Sequence, residues 1–350
     1  MDDLRIAVAG AGYIGQAHMA VIEATEGCRL SALVDPSPAA AESARRAGLP
    51  LYTDLSQLLA RDRPDAVVLA TPNALHVPQA LQCLEAGLPV LLEKPIAPTV
   101  QEARALVQAA ARLQSRVLIG HHRAHSPIME RARQLIAEGQ LGAIVAVTGA
   151  ALFFKPDAYF DDSPWRREAG AGPILLNMIH EVHNLRMLCG EVVAVQAFAS
   201  HATRGFPVED TAAINLRFAS GALGSFVLSD TAASARSWEQ TAQENPAYAS
   251  YGDEDCYVVA GTFGSLAVPS MRLKTYASAA DRSWWKPFTT DTAAVVREDP
   301  LARQMAHFVQ VARGQAAPLV SVHDGLRNLQ ITEAIAEAAR TGAVVDTPLE

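Results

Sequence analysis

The apolar positions of the chain form two different patterns, and the first of them occupies residues 4 to about 120. Short runs of Val, Ile, Leu and Ala alternate there with segments whose apolar residues recur at helical spacing. The runs read LRIAVAG, RLSALVD, DAVVLAT, VLLE and RVLIG. Runs that are apolar throughout are typical of parallel strands covered on both faces, so the pattern predicts a doubly wound α/β domain over residues 1–124.

The second pattern begins after HHRAHSP, where Pro127 follows a His-rich stretch. A helix is predicted at about 127–138, and longer strands with alternating apolar residues follow it, among them TAAINLRFA and ALGSFVLSD. Turn residues such as Ser220 and Gly221 suit neighbouring antiparallel strands. We therefore expect residues 125–350 to form an α+β domain built on one large, mainly antiparallel open sheet.

The length of the chain indicates its number of domains, and its net charge indicates which kinds of partner are not expected. A chain of 350 residues is longer than one compact core usually grows, which favours two domains. The formal net charge of −8 gives no general attraction to phosphate backbones or anionic membranes, so neither nucleic acid nor a membrane is expected as a partner. No uninterrupted apolar stretch approaches the roughly 20 residues that span a bilayer.

The cysteines and the first residues bear on the compartment. The four cysteines are scattered without CxxC spacing, which suits reduced thiols better than a disulfide framework. The opening MDDLRIAVAGAG has neither a basic leader nor a small-residue cleavage site. We expect a cytoplasmic protein.

The first predicted strand runs into the glycine-rich loop AGAGYIG and then into a helix. Glycines here permit a tight turn, and the first N–H groups of the helix can meet a pyrophosphate. Asp35 ends the second predicted strand about 20 residues later, as a dinucleotide fingerprint requires. A glycine turn without a ligand is the alternative, and this context disfavours it. The predicted loop contacts are Gly10, Gly12, Tyr13, Ile14 and Gly15.

Asp35 also predicts which dinucleotide binds. Its carboxylate would accept hydrogen bonds from the adenosine ribose hydroxyls and would repel a 2′-phosphate. The next residues are Pro36, Ser37 and Pro38, so no Arg or Lys follows at once. NAD is therefore favoured over NADP.

Polar residues also follow later strands of the first domain. Ligands of open α/β sheets bind beyond the carboxyl ends of the strands, so these residues are expected to converge on the cofactor. On their own, Glu93 and Lys94 would be an ordinary surface ion pair at a strand end. The predicted contacts are Thr71, Asn73, His76, Glu93 and Lys94, with Glu93 holding ribose hydroxyls and Lys94 reaching the nicotinamide and the reacting oxygen.

The motifs AGAGYIG, TPNALH and EKP, in this order, resemble those of the glucose-fructose oxidoreductase, inositol dehydrogenase and MocA family, and the resemblance covers essentially the whole chain. It implies a Rossmann domain followed by an open-sheet domain that supplies the substrate pocket and often the oligomer contact. The resemblance also implies that Lys94, in the EKP motif, is catalytic and contacts the cofactor. A homodimer or homotetramer is expected.

The family has a second catalytic motif, Asp followed four residues later by His, on a helix of the second domain. The matching stretch here is GPILLNMIHEVHNLRMLCG, in which Leu176 stands at the aspartate position and Asn177 follows it. We expect His180 to accept the hydroxyl proton of the substrate, since a group with a pKa near 7 does this best at neutral pH. Asn177 is expected to replace the acid and to orient the substrate. A helix histidine with a purely structural partner is the alternative.

Four further residues are candidates for substrate contacts. Arg123, Arg166 and His183 among them, together with Arg204, would give the pocket a positive lining, which hints at a substrate with a carboxylate. Asn177, His180 and His183 could together hold a metal, but they lack the HExxH pattern and a remote carboxylate, so no metal is predicted. Alone, each substrate candidate would be ordinary surface or hinge material. The four are Arg123, Trp165, Arg166 and His183.

These features together predict an NAD-dependent dehydrogenase. It is expected to act on a secondary alcohol or ketone of a sugar, a cyclitol or a related hydroxylated small molecule, including one that carries an acid group. One alternative keeps NAD bound and uses transient oxidation to cleave a glycosidic bond. Another is a non-catalytic dinucleotide sensor, which would need the phosphate loop but neither Lys94 nor His180. Net NADH formation with a simple alcohol separates the dehydrogenase from both.

Overall fold

The computed structural model describes residues 2–168 and 170–349, and these form two compact units. Unit 1 comprises Met1–His125 and Pro300–Leu329, and unit 2 comprises Ser126–Asp299 and Gln330–Glu350. The first change of unit lies next to the boundary expected after residue 124. The return of residues 300–329 to unit 1 was not expected, because order along the chain had placed them in the second domain.

Unit 1 is an alternation of strands and helices, as the apolar runs predicted. Its elements up to residue 120 are β1 Leu4–Ala9, α1 Tyr13–Ala24, β2 Cys28–Val34, α2 Pro38–Ala47, β3 Leu51–Tyr52, α3 Leu55–Arg61, β4 Ala66–Leu69, α4 His76–Glu85, β5 Val90–Glu93, α5 Val100–Arg112 and β6 Val117–Gly120. Strands β4, β5 and β6 are buried at every position, which is why they contain no alternation.

The six strands of unit 1 form one sheet in the order β3-β2-β1-β4-β5-β6, and all its pairs are parallel. The strand order reverses between β1 and β4, since β2 lies on one side of β1 and β4 on the other. In open parallel sheets this switch point is where a ligand binds, beyond the carboxyl ends of the strands. The loops after β1 and β4 are therefore the first place to look for a site.

Unit 2 begins with a helix and continues mainly as strands. Its elements up to residue 292 are α6 Pro127–Ala137, β7 Ile144–Leu152, α7 Asp157–Asp161, a wide helical turn Ile174–Met178, α8 Ile179–Cys189, β8 Val192–Ser200, β9 Thr211–Phe218, β10 Leu223–Ser229, α9 Trp238–Thr241, β11 Tyr257–Gly261, β12 Gly264–Val268, β13 Arg272–Thr275 and β14 Thr289–Thr292.

The chain then returns to unit 1 with α10 Pro300–Ala312. In unit 1 the main-chain N–H of Ile119, in β6, donates to the carbonyl of Val320 at 3.0 Å. The remaining elements are α11 Val322–Thr341, which begins in unit 1 and ends in unit 2, and β15 Val345–Asp346.

The sheet of unit 2 has nine strands in the order β14-β13-β12-β11-β7-β10-β9-β8-β15. Only the pair β7–β10 is parallel among its described strands, so the predicted mainly antiparallel sheet is confirmed. Buried and exposed positions alternate along β9 and β10. Their buried side chains, such as Phe218 and Phe226, belong to the core of the unit together with Tyr257 of β11. The fold class is therefore the predicted combination of a doubly wound parallel sheet and an α+β domain. In the described part of the chain, no helix is both long and apolar enough to cross a membrane.

Candidate functional site

The loop between β1 and α1 has the geometry of a phosphate-binding turn. Gly10 has φ +91°, and a Cβ there would stand 2.4 Å from the carbonyl oxygen of Ala70 at the end of β4, so no larger residue fits. A Cβ on Gly12 would meet nothing within 4 Å, which leaves open space at the start of α1. The helix has no side-chain cap and no acidic residue in its first turn. Its free N–H groups and this open space fit a bound pyrophosphate.

Asp35 lies beside this loop, as predicted. Its Oδ2 accepts a hydrogen bond from the main-chain N–H of Ala11 at 2.8 Å, and its Oδ1 accepts one from that of Ser37 at 2.8 Å. Burial acts to raise the pKa of Asp35, but these hydrogen bonds outweigh it and hold the pKa below its ordinary value. The residue therefore carries a fixed negative charge next to the glycine loop. Such a carboxylate fits a ribose diol and opposes a 2′-phosphate.

The ring of His76 contacts main-chain carbonyls of two separate segments. Its Nδ1 lies 2.7 Å from the carbonyl oxygen of Pro95, and its Nε2 lies 2.8 Å from that of Thr71. The ring is buried, and this burial lowers its pKa although the hydrogen bonds act in the opposite direction. Both ring nitrogens face the main chain, so His76 ties the loop after β4 to the EKP segment. The side chain of Thr71 donates to Gln79 at 2.7 Å, and Asn73 is half-buried in the short turn before α4.

Glu93 ends β5, and its carboxylate contacts other parts of unit 1. The carboxylate is buried, and its Oε1 lies 2.8 Å from Nε2 of the buried His18 on α1. A Cβ on Gly120 would stand 2.8 Å from the same oxygen, so the glycine at the end of β6 makes room for it. Burial acts to raise the pKa of Glu93, but the hydrogen bond from His18 and nearby positive charges hold the pKa below its ordinary value. Both carboxylate oxygens thus have partners within unit 1, since Oε2 accepts from the main-chain N–H of Lys94 at 3.2 Å.

We expect Glu93→Gln to weaken unit 1 in a pH-dependent way. The pKa of Glu93 is lower in the folded state than in the unfolded state, so its contribution to stability is complete above about pH 4.3 and is lost as the pH falls through the folded-state pKa. The variant should lose about 1–3 kcal/mol at neutral pH, because His18 then faces a neutral amide and the charge-assisted hydrogen bond to a buried carboxylate is lost. Urea unfolding at neutral and at acidic pH measures this difference.

The control for that experiment is Glu85→Gln, which removes an exposed carboxylate on α4. We expect the midpoint of this control to stay near that of the wild type, since exposed charges contribute little. If Glu93→Gln lowered the free energy of unfolding equally at every pH, the carboxylate would stabilise unit 1 through its shape and not through its charge.

Lys94 lies at the end of β5, where the sequence placed it. From residue 88 to residue 97 every residue is buried except Lys94, which is half-buried. A chain segment that is otherwise internal thus exposes one ammonium-bearing side chain at the carboxyl end of a central strand. Lysine can leave its apolar stem in such a surface and extend its charge outward. The position suits a group that acts on a bound molecule at this edge of the sheet.

The second group of candidates lies in unit 2, on one continuous helical segment. Half-buried Asn177 belongs to the wide turn Ile174–Met178, and the buried His180 and His183 follow on α8. Their spacing of three residues places the three side chains on neighbouring parts of one helix face. The start of the segment is capped by Glu209, whose Oε1 accepts from the main-chain N–H of Ile174 at 2.9 Å.

The sequence did not predict Lys155, yet its ammonium contacts Asn177. Lys155 Nζ donates to Asn177 Oδ1 at 2.8 Å and lies 3.5 Å from Oδ2 of Asp230. The Nε of Arg204 donates to the other oxygen of Asp230 at 3.2 Å, so Arg204 is part of a buried ion-pair group. Lysine directly after the apolar run ALFF was the available signal, since a charged residue at a buried strand end needs a partner.

Arg166 and Trp165 stand near this group, whereas Arg123 does not belong to the same unit. The guanidinium of Arg166 lies 3.8 Å from the ring centroid of Tyr159, and its Nη1 donates to the Tyr159 carbonyl at 2.6 Å. Trp165 is half exposed. Arg123 is buried in unit 1, in the short turn His122–His125. A narrow cavity of unit 2 is lined by residues that include Lys155, Tyr159, Arg166, Leu176, Arg204 and Asp230.

A metal site was not predicted for the helix of unit 2. Among residues 2–168 and 170–349, no group of three or more His, Cys, Asp and Glu side chains has an arrangement that could hold a metal ion.

Comparison with known proteins identifies both halves of the chain. A family model described as the GFO_IDH_MocA oxidoreductase family with an NAD-binding Rossmann fold matches residues 4–121. A second, described as the GFO/IDH/MocA C-terminal domain, matches residues 129–267. The two matches together span well over half of the chain.

Individual relatives share modest identity with the chain. An inositol 2-dehydrogenase from Corynebacterium glutamicum (strain R) is 34% identical over 150 residues, an alignment that spans 42% of this chain and 44% of that protein, less than half of its length. An inositol 2-dehydrogenase from Rubrobacter xylanophilus is 26% identical, covering 98% of this chain and 92% of that protein. Among solved structures, the WlbA dehydrogenase from Bordetella pertussis, in complex with NADH and UDP-GlcNAcA, has a TM-score of 0.79 and 25% identity, covering 99% of this chain and 100% of that one.

Proposed function

Because the chain belongs to the GFO/IDH/MocA oxidoreductase family, we propose that it transfers a hydride between NAD and a secondary alcohol or ketone of a hydroxylated small molecule. The observation that carries the proposal is the position of Lys94. It is the one incompletely buried residue between 88 and 97, and it ends a strand of the sheet whose glycine loop fits a dinucleotide. A sensor would need only the loop.

Unit 1 is proposed to hold the cofactor. The N–H groups at the start of α1 would bind the pyrophosphate, and Asp35 would accept hydrogen bonds from the adenosine ribose. NAD, when bound, supplies the acceptor and donor of the hydride. Glu93 and His76 act as positioning residues, since Glu93 holds the main chain of Lys94 and His76 holds the segment after it.

Unit 2 is proposed to supply the proton acceptor and the substrate contacts. Removal of a hydride from a carbinol carbon leaves a protonated carbonyl unless a base takes the hydroxyl proton, and we assign that proton to His180. Lys94 stabilises the negative charge that develops on the reacting oxygen, and Asn177 orients the substrate. Trp165, Arg166 and His183 are proposed as further substrate contacts.

The substrate class proposed is a sugar, a cyclitol or a related molecule that in some cases carries an acid group. The inositol dehydrogenases among the relatives support the polyol, and the bound UDP-GlcNAcA of the WlbA dehydrogenase supports a sugar. The cations of unit 2 near the helix, Lys155, Arg166 and Arg204, support an acid group, although Asp230 balances part of their charge. The four cysteines are all free and buried, which supports a reducing compartment, and we propose the cytoplasm.

Self-association is proposed through the sheet of unit 2. On the face of this sheet opposite the core, four large apolar side chains are more than a third exposed: Phe198, Leu223, Val227 and Val258. In the sheet register Val227 is paired with Ala213 and Ala213 with Phe198, so apolar side chains continue from strand to strand. Continuous apolar patches of this kind mark interaction surfaces, and a homodimer or homotetramer would cover this one.

We expect Phe198→Glu to shift the protein toward the monomer, because it places a charge at the most exposed of the four apolar side chains of this face. The molar mass from light scattering should be a multiple of 37.3 kDa for the wild type and should approach 37.3 kDa for the variant. Leu113→Glu, at an exposed position of unit 1, is the control and should keep the wild-type mass. A monomeric wild type would contradict the proposed association.

The proposed function is tested by offering the purified protein NAD or NADP with a panel of sugars, cyclitols, sugar acids and hydroxy acids. Reduced nicotinamide is measured by its absorbance, and cofactor binding is measured separately by calorimetry. We expect net NADH with one class of alcohol and a preference for NAD over NADP, which also tests Asp35. Binding of NAD without any net NADH would favour glycoside cleavage or a sensor, and would overturn the dehydrogenase.

A further inference from the structure

The chemistry of the two groups determines which atom of Asn177 faces Lys155. The two atoms that face each other are Nζ and Oδ1, 2.8 Å apart. An ammonium has three donors and no acceptor, so only the oxygen of the amide can lie beside it. The NH₂ group of Asn177 therefore points away from Lys155.

Lys155 is itself held from several sides. Its ammonium lies 3.5 Å from the carboxylate of Asp230 and 4.8 Å from the ring centroid of Tyr159. A carboxylate and an aromatic face both favour the charged form of a lysine. Its main-chain oxygen accepts a hydrogen bond from Arg204 Nη2 at 2.7 Å, and the same nitrogen donates to the carbonyl of Asp230 at 2.7 Å. Both the side-chain ammonium and the main-chain carbonyl of Lys155 are therefore held in place.

The NH₂ group of Asn177 is available to a ligand. Across residues 2–168 and 170–349, this nitrogen donates a hydrogen bond to no protein atom, and the residue is half-buried rather than fully enclosed. A partly buried amide that donates to nothing in the protein loses free energy unless a ligand or water accepts its hydrogens.

We propose that Lys155 is a positioning residue that presents Asn177 to the substrate only as a hydrogen-bond donor. The position then selects a substrate oxygen that accepts, which is the reacting oxygen of the proposed function on which this inference rests. A ketone or carboxylate oxygen can only accept. A hydroxyl that accepts from Asn177 uses a lone pair, so its own O–H is left to point toward a base. Donation to this oxygen also stabilises the negative charge that develops as the proton leaves.

The contact itself is tested by unfolding, without any turnover. Asn177→Asp places a carboxylate beside the Lys155 ammonium, and we expect the urea midpoint to stay at or above that of the wild type. In a Lys155→Met background the same substitution leaves a half-buried carboxylate near Asp230, so the midpoint should fall. Equal shifts of the midpoint in both backgrounds would overturn the assigned contact.

The donor role is tested by kinetics with whichever alcohol gives NADH. We expect Asn177→Asp to lower kcat about 10-fold to 100-fold with little change in KM, because an acceptor replaces a donor beside the developing charge. Lys155→Met should lower kcat in the same way, since the amide is then free to turn, and Lys155→Arg should restore much of it because a guanidinium also only donates. Lys274→Met, an exposed lysine on β13, is the control.

The outcomes of these two experiments are separable. A faster or unchanged Asn177→Asp enzyme would overturn the donor role and would mean that the position acts as an acceptor. A protein without any turnover would overturn the proposed function, while the unfolding cycle would still decide whether Lys155 holds Asn177.

Discussion

Lys94→Ala is expected to lower kcat/KM by about 10²–10³-fold while the protein still folds and binds NAD. An ammonium aimed at the developing charge of the reacting oxygen stabilises the transition state, and loss of one such donor typically has this effect. The phosphate loop and Asp35 are distant along the chain and keep their own contacts, so the dissociation constant of NAD should change little. Steady-state kinetics and calorimetry with NAD measure the two quantities.

The chain offers a matched control for this substitution. It contains only four lysines, of which Lys274 and Lys286 are exposed in unit 2. Lys286→Ala removes an equal charge from a position without a proposed role and should keep wild-type kinetics. Activity of Lys94→Ala within a fewfold of the wild type would remove the main support for hydride transfer at this site, and loss of NAD binding would assign Lys94 to the cofactor alone.

His180→Ala is expected to lower kcat/KM by about 10²–10⁴-fold, because no other group in the proposal takes the hydroxyl proton. In the wild type the rate of alcohol oxidation should fall toward acid pH, since a protonated imidazole cannot accept a proton. In the variant that acid limb should disappear. Rate profiles across the pH range, with unfolding midpoints for both proteins, measure these effects.

His183→Ala provides the comparison on the same helix. Both histidines are buried on α8, one turn apart, so a packing defect should affect the two variants to a similar degree. For His183→Ala we expect mainly a higher KM and a retained acid limb, because this residue is proposed to contact the substrate. If His180→Ala kept the acid limb, the base would be another group.

Features that are local in sequence were predicted well. The turn at Gly10 and the position of Asp35 just after the second strand depend on the order strand, glycine loop, helix and strand, which the apolar runs and turn residues reveal. The alternation of the second sheet likewise follows from the spacing of apolar residues within single strands. The helix that carries His180 was expected from the family resemblance.

Features that join distant residues were not predictable from one sequence. Glu93 was assigned to a ribose because it ends a strand, and its contact with His18 on the first helix was not predicted. His76 was assigned to the cofactor. The contacts of its two ring nitrogens with main-chain carbonyls from separate loops were not predicted. Lys155 follows the apolar run ALFF, but nothing in that run names Asn177 as its partner. Such partners are decided by the packing of elements, which spacing within one element does not encode.

The return of residues 300–329 to unit 1 was not predictable for the same reason. The amphipathic pattern of α10 predicts a helix with one buried face, but it does not state which sheet that face covers. In the structure α10 contacts α1 and β6, both of unit 1.

The transfer of a hydride from a carbinol carbon is tested by labelling that carbon with deuterium. The alcohol that gives NADH is prepared with deuterium on the carbon to be oxidised, and the mass of the NADH formed is measured. We expect one deuterium atom in each NADH, an oxidised product in equal amount, and formation of both products slowed about 10²–10³-fold with Lys94→Ala. Unlabelled NADH, or a cleaved glycosidic bond without net NADH, would contradict it.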